Sequence, residues 1–191
     1  MELNITLFRM INDLGKEHAF LNPLFIFFAE YSMYFLAMAV ILFFFTRNGR
    51  NRVMVVCAGL TFILAEVVGK LVSKLHTNYQ PFAVLDDVNK LIEKDINNSF
   101  PSDHTILFFS FCMTFWLFSK SRYRFLWLVV AVLVALSRVG VGVHYPADIT
   151  VGALISMVVS FIVYKVVPPL PITKRLFHSQ ASIERTKSKE L

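Results

Sequence analysis

The sequence predicts an all-α integral membrane protein: a bundle of about five transmembrane helices, an interfacial helix before it and a short surface helix over one mouth. Three observations predict it. Of 191 residues 56% are hydrophobic and only 17% charged, and the mean hydropathy is +0.60, too apolar for a surface that water must wet. The apolar residues gather into runs long enough to cross a bilayer, at roughly 20 residues each. Lys and Arg crowd some of the intervening loops and avoid others, as membrane topology requires. Such spans use up the length, so a single membrane-embedded domain is expected over 1–167 and a charged, mobile cytoplasmic tail over 168–191.

Residues 1–20 precede the first span. Leu3, Leu7, Met10, Ile11 and Leu14 recur at helical spacing while Asn4, Arg9, Asp13 and Lys16 take other faces, which fits a helix in the headgroup region or an amphipathic start packed on the bundle. The first span covers 23–45, carries Glu30 and ends in an arginine-rich loop at 46–52. The second covers 53–73. Its Glu66 and Lys70, four apart on one face, form either a structural ion pair or part of a polar site. Residues 74–103 make the longest polar connection. Within it Val84, Leu85, Val88, Leu91 and Ile92 follow amphipathic spacing and predict the surface helix. The third span opens at Pro101-Ser102-Asp103-His104 and runs to 119, the fourth covers 125–141, and the fifth covers 146–167, where Pro168, Pro169 and Pro171 stop it.

Orientation follows from the basic residues. Arg47, Arg50 and Arg52, then Lys120, Arg122 and Arg124, then Lys165 and the basic residues after it, meet only Glu184 and Glu190 as acids in those segments. These segments are expected in the cytoplasm and the 74–103 and 142–146 connections outside the cell membrane. The same bias accounts for a net charge of +6 without a nucleic-acid partner. Cys57 and Cys112 lie inside apolar runs, as small core residues do. No charged lead with a small-residue cleavage site marks a signal peptide, so the chain is expected to keep its own start. In this orientation Glu30, Glu66, Lys70 and Arg138 all fall toward the outer ends of their spans, alongside His104, His144 and Asp148. Structural pairs alone have no reason to choose one leaflet, so the clustering predicts a polar site opening outward.

Two clusters carry the chemistry. Between the fourth and fifth runs stands Ser137-Arg138-Val139-Gly140-Val141-Gly142-Val143-His144-Tyr145-Pro146-Ala147-Asp148. His144 and Asp148 are one helical turn apart, so the carboxylate can take the proton of one imidazole nitrogen and leave the other bare, a competent nucleophile. His104, in the other cluster, suits protonation of a departing oxygen. Arg138 offers a planar fork for phosphoryl oxygens, and Ser102, at the expected N-cap of the third span, adds a helix-terminus anion site. Gly140 and Gly142 admit close approach of backbone or substrate, or ease helix packing. The His-x-x-x-Asp spacing offers no third or fourth metal ligand, so a metal-free, cofactor-free covalent route is expected.

These clusters resemble the second and third motifs of the type 2 phosphatidic acid phosphatase superfamily, and the compact size and outward site are similar to bacterial undecaprenyl diphosphate phosphatases linked to bacitracin resistance. The resemblance implies that His144 forms a phosphohistidine, Asp148 orients it, and His104 protonates the leaving lipid phosphate. Arg138, Ser102 and the Asp103 backbone would hold the phosphoryl oxygens. Apart from the resemblance, Ser137, Glu30, Glu66 and Lys70 are expected as polar support of the outward site. In two places the sequence departs from the family pattern. Asp103 stands where a glycine is usual. The first motif, Lys, six residues, then Arg-Pro, is met by Gln80-Pro81 with Lys74 one residue out of register, so Lys74 and Gln80 are the expected phosphate contacts there.

The leading expectation is removal of the terminal phosphate of a polyprenyl diphosphate at the outer leaflet, recycling the lipid carrier of cell-wall synthesis. Phosphatidylglycerol phosphate or phosphatidic acid are alternative substrates. A non-catalytic lipid-diphosphate binder or sensor is an alternative of another class.

Overall fold

The computed structural model describes residues 2–46 and 48–169. Helix α1, Glu2–Asn12, is followed by a single turn at Leu14–Glu17. The first spanning helix, α2, is Ala19–Phe45, with a π-helical turn at Phe27–Tyr31. Then come α3 (Gly49–Ser73), α4 (Asp103–Phe118), α5 (Phe125–Gly140) and α6 (Pro146–Val166). The expected tail at 168–191 falls, from residue 170, outside the described residues.

Four of these helical segments are long and apolar enough to cross a membrane, and α4 is shorter. At 1.5 Å per residue its 16 residues reach only about 24 Å, less than the ~30 Å hydrocarbon core. Its surroundings explain this departure from the expected set of similar spans. Helix α4 packs against α3, α5 and α6, and Ile106, Phe108, Cys112 and Phe115 are shut away from the surface. A helix walled in by others need not span lipid by itself.

Lipid tails are as apolar as leucine, so the bundle is held by close packing more than by escape from water. Small residues make that packing possible. Cys57, Ala58 and Ala65 line the inner face of α3. A methyl group on Gly69 would sit 2.7 Å from Ile106 and one on Gly152 3.2 Å from the Ser102 carbonyl, so α3 and α6 close directly onto the start of α4. Phe115 meets Phe43 and Trp127 edge-on, with ring centroids at 5.4 and 5.0 Å, and joins α4 to α2 and α5.

Helix α1 forms as expected, with Leu3 and Met10 exposed and Phe8 and Asn12 fully buried; its Phe8 and Asn12 face docks against α5 and α6. One expectation needs correction. The surface helix expected through Val84, Leu85, Val88, Leu91 and Ile92 closes after one turn, at Pro81–Val84. Asp87 adopts a positive φ of 52°, which a helix cannot contain. The backbone groups beyond it are taken by other partners: Arg9 binds the Asp86 and Asp87 carbonyls, Asn12 the Asn89 backbone, and the Leu91 N–H donates to Val141.

Candidate active site

The chain is folded so that the start of α4, the end of α5 and the start of α6 meet at one end of the bundle, under the 74–102 connection. Ser102 is the N-cap of α4, and its own N–H donates to the Asp148 carbonyl at 3.2 Å. Its hydroxyl is fully buried and has no hydrogen-bond partner among the described residues. Asp103 and His104 form the first turn of α4, Asp103 exposed and His104 half-buried. Helix α5 then ends at Gly140 and the chain turns sharply through Gly142, whose φ is +84°. A side chain there would strike Val88 and the Asn89 carbonyl, and one on Gly140 would strike the Phe25 ring. Both glycines therefore serve packing of the site's walls.

That turn delivers His144 into the interior, where it is 2% exposed. Its Nδ1 lies 2.9 Å from the Ser99 carbonyl, and its Nε2 lies 3.4 Å from Lys94 Nζ. A carbonyl can only accept and an ammonium can only donate. Both partners thus require the same tautomer, with the proton on Nδ1 and a lone pair on Nε2. Burial, the Lys94 ammonium and the Arg138 guanidinium all favour the neutral ring, and its pKa is held below the ordinary histidine value despite the opposing Asp148.

Asp148, expected to take the proton of one imidazole nitrogen, stands at ion-pair distance from Nδ1. Its Oδ2 is 3.6 Å from Nδ1, too long for a hydrogen bond. That oxygen instead accepts the Tyr145 N–H at 2.8 Å, across the first turn of α6. Ser99, 45 residues before His144, is the nearer orienting group. Asp148 supplies negative potential behind the ring, and its Oδ1 is buried without a partner.

Arg138 is 2% exposed. Its Nη1 donates to the Ala29 carbonyl at 3.0 Å, within the π-helical turn of α2, while Nε has no hydrogen-bond partner among the described residues. Leaving such a donor buried and unbonded costs about 1–3 kcal/mol, which an anion would recover. Glu30, next to Ala29, and Asp103 both lie near enough to act on the guanidinium electrostatically. Arg138, Lys94 and His144 act in the same way on His104. The structure thus brings together His144, Asp148, Arg138, Ser102, Asp103 and His104, with Glu30 at the edge.

Other sequence candidates form no hydrogen bond or ion pair with these residues among the described residues, although Asp103 acts on Glu66 electrostatically. Ser137 spends its hydroxyl on the Val134 carbonyl of its own helix. Glu66 and Lys70 form no ion pair: Lys70 is exposed, whereas Glu66 Oε1 is buried toward the bundle. Lys74 is exposed at the C-terminus of α3, with no side-chain bond to the site. Gln80 is fully buried, and both ends of its amide are bound to Asn97: Nε2 donates to Asn97 Oδ1 at 2.5 Å, and the Asn97 N–H donates to Oε1 at 3.1 Å. It closes a loop, which takes up its amide oxygen and one of its two N–H groups. Sequence reasoning missed Lys94, Ser99 and Asn12, because nothing local distinguishes them from ordinary loop or surface residues.

Comparison with known proteins bears on this geometry. The profile of the PAP2 superfamily matches residues 54–171. The chain is 49% identical, over 96% of its length and 90% of the relative, to the bacitracin transport permease protein BcrC of Bacillus licheniformis. It is 28% identical, over 85% of its length and 83% of the relative, to the undecaprenyl-diphosphatase BcrC of Bacillus subtilis. Among solved structures, LpxE of Aquifex aeolicus superposes with a TM-score of 0.74 at 30% identity, covering 85% of this chain and 95% of that one.

Proposed function

The chain belongs to the PAP2 superfamily, and from that premise we propose that it removes the terminal phosphate of a polyprenyl diphosphate at the outer leaflet through a phosphohistidine on His144. It is a membrane lipid phosphatase, a hydrolase; the polyprenyl substrate, the covalent step and the outward site are the proposal. The observation that carries it is the lone pair on His144 Nε2, fixed by Ser99 and Lys94 beside the buried Arg138.

In the first step Nε2 attacks the terminal phosphorus and the bond to the bridging oxygen breaks. The electron pair leaves on the lipid monophosphate, which takes a proton from His104. Arg138 Nε and the Ser102 hydroxyl, both without partners among the described residues, donate to the phosphoryl oxygens as charge shifts onto them. In the second step His104 takes a proton from water, the water oxygen attacks phosphorus, and the P–N bond breaks to release inorganic phosphate and restore His144. A groove of about 390 Å³ between α4, α5 and α6, lined by Phe109, Val132, Leu136, Ile149, Ala153 and Met157, suits an apolar chain.

The test is phosphate release by the full chain in detergent from undecaprenyl diphosphate, phosphatidylglycerol phosphate and phosphatidic acid. The diphosphate is expected to give the highest kcat/KM. His144→Ala and His104→Ala are each expected to lower it about 10³-fold or more. Full activity in either variant sinks the mechanism, and a preference for phosphatidic acid sinks the substrate assignment.

A further inference from the structure

We propose that Lys94 is a substrate-binding residue of this site, presenting its ammonium to the terminal phosphate from the 74–102 connection while Arg138 holds it from α5. The inference rests on the phosphatase reading for the identity of the anion.

Position is the first argument. Lys94 Nζ lies 3.4 Å from Nε2, the nitrogen that must bond phosphorus, so a phosphoryl group in line with that nitrogen brings its oxygens to the ammonium. The company Lys94 keeps is the second. Lys16 and Lys90 both pair with carboxylates, at 2.8 Å to Asp87 and 3.0 Å to Glu93. Lys94 turns inward, is partly buried and forms no ion pair among the described residues. Burial and the neighbouring Arg138 both push its pKa down, with Asp103 and Asp148 acting the other way. A cation held under those conditions is poorly compensated by the protein and well placed for a dianion.

The third argument is that the chain fixes this lysine in place. Gln80 and Asn97 bind each other reciprocally. Asn98 Oδ1 accepts from the backbone of Asn78 and Phe100, and its amide donates to Ser73. The Ser99 N–H donates to the Asn78 carbonyl at 2.6 Å. Five residues after Lys94, the same pinned strip supplies the Ser99 carbonyl that sets the His144 tautomer. One short segment therefore delivers both the cation and the group that aims the nucleophile. Lys70 and Lys74 are exposed and do neither.

The experiment uses the full chain in detergent, with orthovanadate as a phosphate probe whose binding is read as a rise in Tm and needs no turnover. Lys94→Gln is expected to weaken orthovanadate binding about tenfold or more and to raise KM for the lipid diphosphate. Its Tm without the anion should match or exceed that of wild type, because a poorly compensated charge has been removed. Lys94→Arg should recover most of the binding. Equal orthovanadate affinity in Lys94→Gln, a wild type unmoved by orthovanadate, or a loss of binding that Lys94→Arg leaves uncorrected would each overturn the proposal. Wild type that binds orthovanadate through Lys94 yet hydrolyses no lipid phosphate sinks the phosphatase reading and leaves the role of Lys94 standing.

Discussion

The two ring nitrogens of His144 have different duties, and the pH dependence of activity should report them. The ring attacks as the neutral base, and its pKa is held below the ordinary value of 6.5. Acidification therefore removes the nucleophile only once the pH falls below that range. Lys94 must stay charged to hold an anion, and its pKa is lowered from the ordinary 10.5, so orthovanadate binding should fade with alkalinity below that value, whereas turnover is limited earlier, by loss of the His104 proton. Lys94→Arg is expected to hold the anion to higher pH, because a guanidinium stays protonated throughout the range. Binding that fades at the same pH in Lys94→Arg would assign the loss to another group. Gln80 makes a second residue-scale test. Restoring the arginine of the family pattern with Gln80→Arg should lower activity and reduce stability by about 1–3 kcal/mol, since it puts an unpaired charge where a buried amide pair closes the loop. Equal or higher activity in Gln80→Arg would show that the amide is a dispensable substitute.

At the scale of elements, Asn12 ties three segments together. Its Nδ2 donates to the Asn89 and Gly140 carbonyls at 3.1 and 2.9 Å, and its Oδ1 accepts the Asn89 N–H at 2.9 Å. Asn12→Leu leaves those backbone groups buried and unbonded. It should lower Tm and make the 85–95 segment more sensitive to protease, and unchanged protection would remove α1 from the support of the site. Elements of this kind mark where sequence reading succeeds and fails. The spans and the two motif clusters were legible because apolar length and a His-to-Asp interval are local properties. The helix expected through Val84 to Ile92 was not formed because the hydrogen bonds of that stretch go to α1 and Val141, partners its own periodicity cannot reveal. Ser99 and Lys94 escaped notice for the same reason, being 45 and 50 residues from the histidine they serve.

For the whole molecule, sidedness can be tested with the chain's own cysteines out of the way, since Cys57 and Cys112 are both buried. Lys90→Cys, at the site end, is expected to react with a membrane-impermeant maleimide on intact cells, and Ser121→Cys, at the other end, only after lysis. The reverse pattern would turn the site to the cytoplasm and exclude outer-leaflet substrates. The Asn12 tie also says something about biosynthesis. Helix α1 leaves the ribosome before α5, yet a carbonyl that anchors it belongs to Gly140, 128 residues later. A segment made early is thus settled late, because its tie cannot form until the end of α5 has been made.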